Sequence, residues 1–212
     1  VVEAALSQPQ PRVLLADEVG LGKTIEAGLI LARMIATGRA QRALVLVPEA
    51  LMYQWFVELL RRFNLRFSIF DAERADSIEQ SDDSRNPFQD DQFILTDLGF
   101  LTGSSKRARQ IAAAGWDLMV VDEAHHLAWT PQEASPEYAL AEQLAIQTPS
   151  VVLLTATPEQ LGRSGHFARL RLLDPARYND LAHFEQEAQG FQAISQLAEK
   201  LLDASKIDAA TL

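Results

Sequence analysis

Apolar residues along this chain gather in six five-residue runs: Arg12 to Ala16 (RVLLA), Ala43 to Val47 (ALVLV), Arg66 to Phe70 (RFSIF), Gln92 to Thr96 (QFILT), Asp117 to Val121 (DLMVV) and Val151 to Thr155 (VVLLT). Near-continuous runs of this length are what strands buried on both faces require. Between the first two lies TIEAGLILARMIATG, whose Ile25, Leu29, Ile30, Met34 and Ile35 fall on one helical face before Gly38 ends it. Between the next two lies LMYQWFVELLRRF, with Met52, Trp55, Phe56, Leu59, Leu60 and Phe63 at the same spacing. Strands alternating with amphipathic helices predict an α/β fold, a mostly parallel sheet flanked by helices. Both apolar helix faces, Trp55 included, are read as packing on that sheet.

The period lapses in two places. From Asp71 to Asp91 there are eight acidic residues against Arg74 and Arg85, among Ser, Asn and Pro, and this segment reads as a solvated acidic loop insertion. From Asn179 the chain turns helical and more polar, with Phe184, Phe191, Ile194, Leu197, Leu201 and Leu202 on one stripe. The expected organisation is one lobe over residues 1–178 and a helical C-terminal extension, an insertion or linker, over 179–212.

Composition narrows the function classes. With 212 residues, 48% apolar and 23% charged, the chain can bury the core of one soluble domain. Cysteine is absent, which removes thiolate chemistry and fits a reducing, cytoplasmic setting. No run is long enough to span a membrane, and Val1 in place of methionine points to a piece of a longer chain. The net charge of −10 opposes nucleic-acid binding, yet −6 of it belongs to the acidic segment. Lys106, Arg107 and Arg109 form a small basic cluster that either contacts phosphates or is an ordinary solvated helix face. Trp55 and Trp116 read as core, whereas Trp129 is open to a stacking role.

Three motifs carry chemistry. ADEVGLGKT follows the first run and opens a helix, the context of a phosphate-binding loop, although Asp17 stands where the generic pattern has glycine. Amides from Val19 to Thr24, with Gly20 and Gly22 allowing close approach, would cradle a β-phosphate. Lys23 would neutralise β- and γ-phosphate oxygens, and the Thr24 hydroxyl would ligate magnesium. The plain alternative is a glycine turn before a helix. WDLMVVDEAHHL places Asp122, Glu123, Ala124 and His125 at the carboxyl end of a buried run, where ligands bind in open α/β sheets. Asp122 suits a magnesium ligand acting through water, and Glu123 a group that orients or deprotonates attacking water. An acidic helix start would explain the pair equally, and adjacent histidines 125 and 126 should point apart and chelate poorly. LLTATP then offers Thr155 and Thr157, either to couple to the acidic loop or to cap the next helix.

Together these stretches resemble the superfamily 2 helicase-like ATPases, and within them the Swi/Snf-type translocases. Asp17, Glu18, Gly20, Leu21, Gly22, Lys23 and Thr24 match that family's first motif, Asp-Glu-x-Gly-Leu-Gly-Lys-Thr, at every defined position, with Val19 at the variable one. VPEALMYQW, DEAHH, TATP and LLDPARYNDLAHF are similar to its later motifs. RRFNLRFSIFD, NPF, WDLMVVDEAHHLAW, LLTATPEQLG and HFARLRLLDP further resemble the bacterial RNA-polymerase-associated members of that branch. The resemblance implies a RecA-like P-loop lobe using ATP and Mg2+ in a DNA-dependent ATP hydrolase that works on duplex DNA and the RNA polymerase core. It implies a second RecA-like lobe supplying arginine fingers from outside these residues, so that this piece alone turns over ATP poorly. It also places Pro48, Gln54 and Thr96 to Thr102 toward the bound nucleic acid. Two alternatives remain: an interaction module without productive hydrolysis, and a DEAH-type RNA helicase, which the Asp17 loop and Leu172 to Pro175 disfavour. No adenine-reading glutamine motif is visible.

Overall fold

All six apolar runs become strands of one parallel sheet in the computed structural model, which describes residues 2–16, 22–81, 85–155 and 162–189. They are β1 (Arg12–Ala16), β2 (Ala43–Leu46), β3 (Ser68–Phe70), β4 (Phe93–Thr96), β5 (Leu118–Val121) and β6 (Ser150–Thr155), in spatial order β1-β6-β5-β2-β4-β3. Because β1 pairs with β6 and β6 with β5, the carboxyl ends of β1 and β5 lie two strand spacings apart, about 10 Å. Thr155 ends the strand between them.

Side chains that alternate across the strands feed two cores. Leu15, Val45, Val120, Val152 and Leu154 face one way, against α1 (Val2–Ser7), α2 (Lys23–Ala36) and α3 (Glu49–Phe63). Leu44, Leu46, Met119, Val121 and Leu153 face the other, against α5 (Leu98–Thr102), α6 (Ser105–Ala113), α7 (Pro136–Gln147) and α8 (Gly162–Leu173), with α4 (Ala72–Ser81) at its rim. The close approach of α2 to α3 depends on a missing side chain. A Cβ added at Gly28 would lie 2.2 Å from the Phe63 ring. At the opposite, amino edge of the sheet, Arg12 donates to the Ala145 and Thr148 carbonyls at the end of α7 and to Leu172 and Leu173 at the end of α8. A cation thus meets the negative ends of two helices.

The acidic segment is corrected by the structure: residues 72–81 are a helix, not a loop. Ala75 is buried and Ile78 packs on the core, so one face is apolar after all. The acidic face is neutralised from outside: Arg107 of α6 pairs with Asp76 at 2.5 Å and Glu79 at 2.7 Å, and Lys106 with Glu79 at 2.9 Å. Glu79 also accepts from Gln110. That hydrogen bond, then Lys106 and Arg107, holds the Glu79 carboxyl down at about 2. Two of the three basic residues, Lys106 and Arg107, are therefore spent on Asp76 and Glu79, and Arg107, 8% exposed at its side chain, has no face for phosphate.

Residues 181–189 are helical, and Phe184 meets Phe167, Tyr178 and His166. The remainder of the extension stripe, Phe191 onward, lies outside the described residues. Among the described residues, no helix is long and apolar enough to cross a membrane.

Candidate functional site

Of the phosphate-loop residues, Asp17, Glu18, Val19, Gly20 and Leu21 lie outside the described residues, as does Thr157. Gly22, Lys23 and Thr24 are described. Gly22 has φ +91°, a left-handed conformation that costs glycine little, and it turns the chain directly into α2. Lys23 and Thr24 thus sit at the positive end of a 14-residue helix.

The acidic motif arrives from the end of β5. The Asp122 amide donates to the Leu46 carbonyl, continuing the sheet by one residue. Its Oδ1 then accepts from the Glu123 amide at 2.8 Å, and its Oδ2 from the Trp55 indole Nε1 at 2.8 Å. Both carboxylate oxygens are oriented by the protein, each keeping a further lone pair. Glu123 follows with φ +49° and ψ +42°, a left-handed backbone uncommon for a non-glycine residue. A 3-10 turn, Ala124–His126, completes the motif.

Lys23, Thr24, Asp122 and Glu123 line one cavity of ≈ 440 Å³, together with Gly22 and the Gln54, Trp55 and Glu58 face of α3. A second cavity of ≈ 180 Å³ shares Asp122 and Glu123 and extends to Pro48, Asp97, Leu98 and Glu137. The acidic pair therefore stands between two concavities at the carboxyl edge of the sheet, the edge at which open α/β sheets hold ligands. Thr155, on the intervening strand, is 1% exposed, and its hydroxyl has no hydrogen-bond partner among the described residues.

Contrary to expectation, the two histidines do not point apart. In the 3-10 turn their rings lie 4.0 Å apart between centroids. The His125 Nδ1 lies 3.0 Å from Glu123 Oε2, outside hydrogen-bond geometry. Burial, and then the neighbouring His126, lower the His125 pKa from its ordinary value.

The residues expected to face nucleic acid divide. Pro48 lines the smaller cavity. Gln54 lines the larger one with Lys23 and Thr24. Thr96 is removed from consideration: it is fully buried and donates its hydroxyl to the Phe70 carbonyl at 2.7 Å. Trp129 is half-buried against Phe167 and Tyr138, with ring centroids 5.5 and 6.2 Å away, and Arg171 lies over its ring, while it also lines a cavity of ≈ 510 Å³ away from the acidic pair.

Arg169 on α8 was not singled out from the sequence. It is 2% exposed and donates to the Ala124 carbonyl at 2.9 Å, His125 at 3.0 Å, Leu127 at 2.6 Å and Gly165 at 2.9 Å. The available signal was position: an arginine three and four residues before Leu172 and Leu173, on the buried stripe of an amphipathic helix.

The chain matches the SNF2-related domain over residues 4–205. It is 56% identical over 197 residues to the RNA polymerase-associated protein RapA of Pseudomonas fluorescens, covering 93% of this chain and 20% of that protein. A RapA of Pseudomonas putida is 57% identical over 197 residues, with the same coverage, so the chain spans about a fifth of the curated relatives it matches. Among solved structures it is similar to the Sulfolobus solfataricus SWI2/SNF2 ATPase core in complex with dsDNA. The TM-score is 0.65 at 23% identity, over 82% of this chain and 34% of that one. The same organism's SWI2/SNF2 ATPase core domain has a TM-score of 0.64 at 22% identity, over 91% and 37%. These two likenesses bear on the fold, a RecA-like lobe.

Proposed function

The chain belongs to the SNF2-related domain family, and from that premise we propose that it is the nucleotide-binding lobe of a DNA-dependent ATPase that acts with RNA polymerase. One observation carries the reading: Lys23 and Thr24 from the start of α2, and Asp122 and Glu123 from the end of β5, converge on one cavity large enough for a triphosphate. The polymerase is argued from the RapA relatives, and duplex DNA from the SWI2/SNF2 core solved with it.

Each side chain has a physical task. Lys23 places a compact positive charge against β- and γ-phosphate oxygens, at a helix end that already favours anions. Glu123 offers a half-exposed carboxylate to orient or accept a proton from the water that attacks the γ-phosphorus. Thr155, buried between the two motifs with a hydroxyl that has no partner among the described residues, is poised to couple them. Residues 1–178 would form this lobe, and 179–212 the start of a helical element.

The donor set fits magnesium: a Thr24 hydroxyl and an Asp122 carboxylate with spare lone pairs are hard oxygen ligands on one cavity. Bound there, the ion would neutralise phosphate charge. A second lobe of the same protein would close the cleft and supply arginines to the γ-phosphate.

The test uses the full-length protein. ATPase rate is measured without nucleic acid, with duplex DNA and with RNA, for the parent and E123Q. Duplex stimulation lost in E123Q supports the reading. Stimulation by RNA alone would make the protein an RNA helicase, and no hydrolysis in any condition would leave an interaction module.

A further inference from the structure

We propose that Arg169 is a positioning residue that holds Glu123 in its left-handed backbone conformation. The inference rests on the ATPase reading above and concerns how its acidic loop is kept in register.

Glu123 sits at φ +49°, ψ +42°, where a side chain bearing a Cβ is strained. Such a conformation persists only where the surroundings over-determine it. On its amino side the restraint is visible: the Asp122 carboxylate accepts the Glu123 amide. On its carboxyl side, three of the next four carbonyls, those of Ala124, His125 and Leu127, all accept from the guanidinium of Arg169. The fourth Arg169 bond, to Gly165 one turn back on α8, fixes the guanidinium to its own helix.

The energetics of Arg169 make a merely incidental role expensive. A guanidinium that is 2% exposed has lost its hydration, and no carboxylate pairs with it among the described residues. Burial accordingly lowers its pKa, with Tyr138 the opposing influence. A planar fork with donors in several directions reaches four separate carbonyls; an ammonium on a flexible stem does not. The arrangement ties α8, which begins at Gly162 after the β6 strand end, to the turn that aims Glu123. A shift of α8 is thereby a shift of the Glu123 carboxylate.

The test compares the full-length parent, R169K and R169M in the same preparation. Melting temperature, the Kd for magnesium-ATP measured in the E123Q background, and kcat and KM with saturating duplex DNA are recorded. The expected result is a folded R169K whose nucleotide Kd stays within about threefold while kcat falls about tenfold to hundredfold, the scale of a small misplacement of a reacting group. R169M should fall at least as far. In the E123Q background R169K should slow residual turnover no further, because the glutamate it positions is already disabled. A folded R169K with parental kcat overturns the inference and leaves the ATPase reading intact. So does parallel loss of Kd and kcat, or failure of both variants to fold, since the arginine would then hold the fold as a whole. A parent that hydrolyses no ATP sinks both.

Discussion

The indole Nε1 of Trp55 donates to Asp122 Oδ2 at 2.8 Å, joining a core residue of α3 to the first carboxylate of the acidic motif. Trp55 is 1% exposed, so the plain reading of its helical spacing is right, and its one polar atom nonetheless reaches the site. Hydrogen bonds to charged acceptors contribute about 1.5–3 kcal/mol. W55F keeps most of the packing and deletes the donor. It should lower stability by roughly that amount and weaken magnesium-dependent nucleotide binding several-fold, read by thermal denaturation and a magnesium titration on the full-length protein. Parental values in both would show that the contact does not orient Asp122.

Gly28 tests the seam between the two helices nearest the site. G28A puts a methyl group into the Phe63 ring and should cost about 1–3 kcal/mol, the scale of overpacking. Adding F63L should recover a substantial part of the loss. Additive penalties in that double-mutant cycle would mean the ring simply moves aside.

The α4–α6 ion cluster makes an acid prediction. The Glu79 carboxyl is depressed in the fold, first by Gln110 and then by Lys106 and Arg107, to about 2. A depressed carboxylate contributes stability above its unfolded value, near 4.5, and loses it as pH falls toward 2. E79Q should therefore flatten the dependence of melting temperature on pH between 4.5 and 2 relative to the parent. Parallel parent and E79Q curves would remove Glu79 from that titration.

Thr96 separates packing from recognition. Its hydroxyl is spent on the Phe70 carbonyl in the core, so T96V should cost about 1 kcal/mol of stability. Duplex DNA affinity at fixed salt should be unchanged. A several-fold loss of DNA affinity in a folded T96V would restore it as a contact.

Much of the fold was legible because buried parallel strands and amphipathic helices leave the strongest patterns a chain can carry. Arg12 to Ala16 matches its strand residue for residue, and the other runs differ by a residue or two at their ends. Lys23, Thr24, Asp122 and Glu123 were legible because each motif follows an apolar run, and the parallel order brings those run ends to one edge. The acidic segment was misread because α4 hides a short apolar face beneath charges whose partners, Lys106 and Arg107, are about 30 residues away in sequence.

The amino-acid order by itself determined the six strands, the helices that follow the first two of them and the residue types suited to phosphate and magnesium, since these follow from local period and local chemistry. Only the tertiary structure decided that Trp55 orients Asp122, that Arg107 answers Asp76 and Glu79, and that Arg169 grips the turn behind a left-handed Glu123. Each of these joins residues far apart in the chain through a buried or partly buried polar group that needs a partner. Where such a partner lies is set by how the layers pack, and no local pattern contains it.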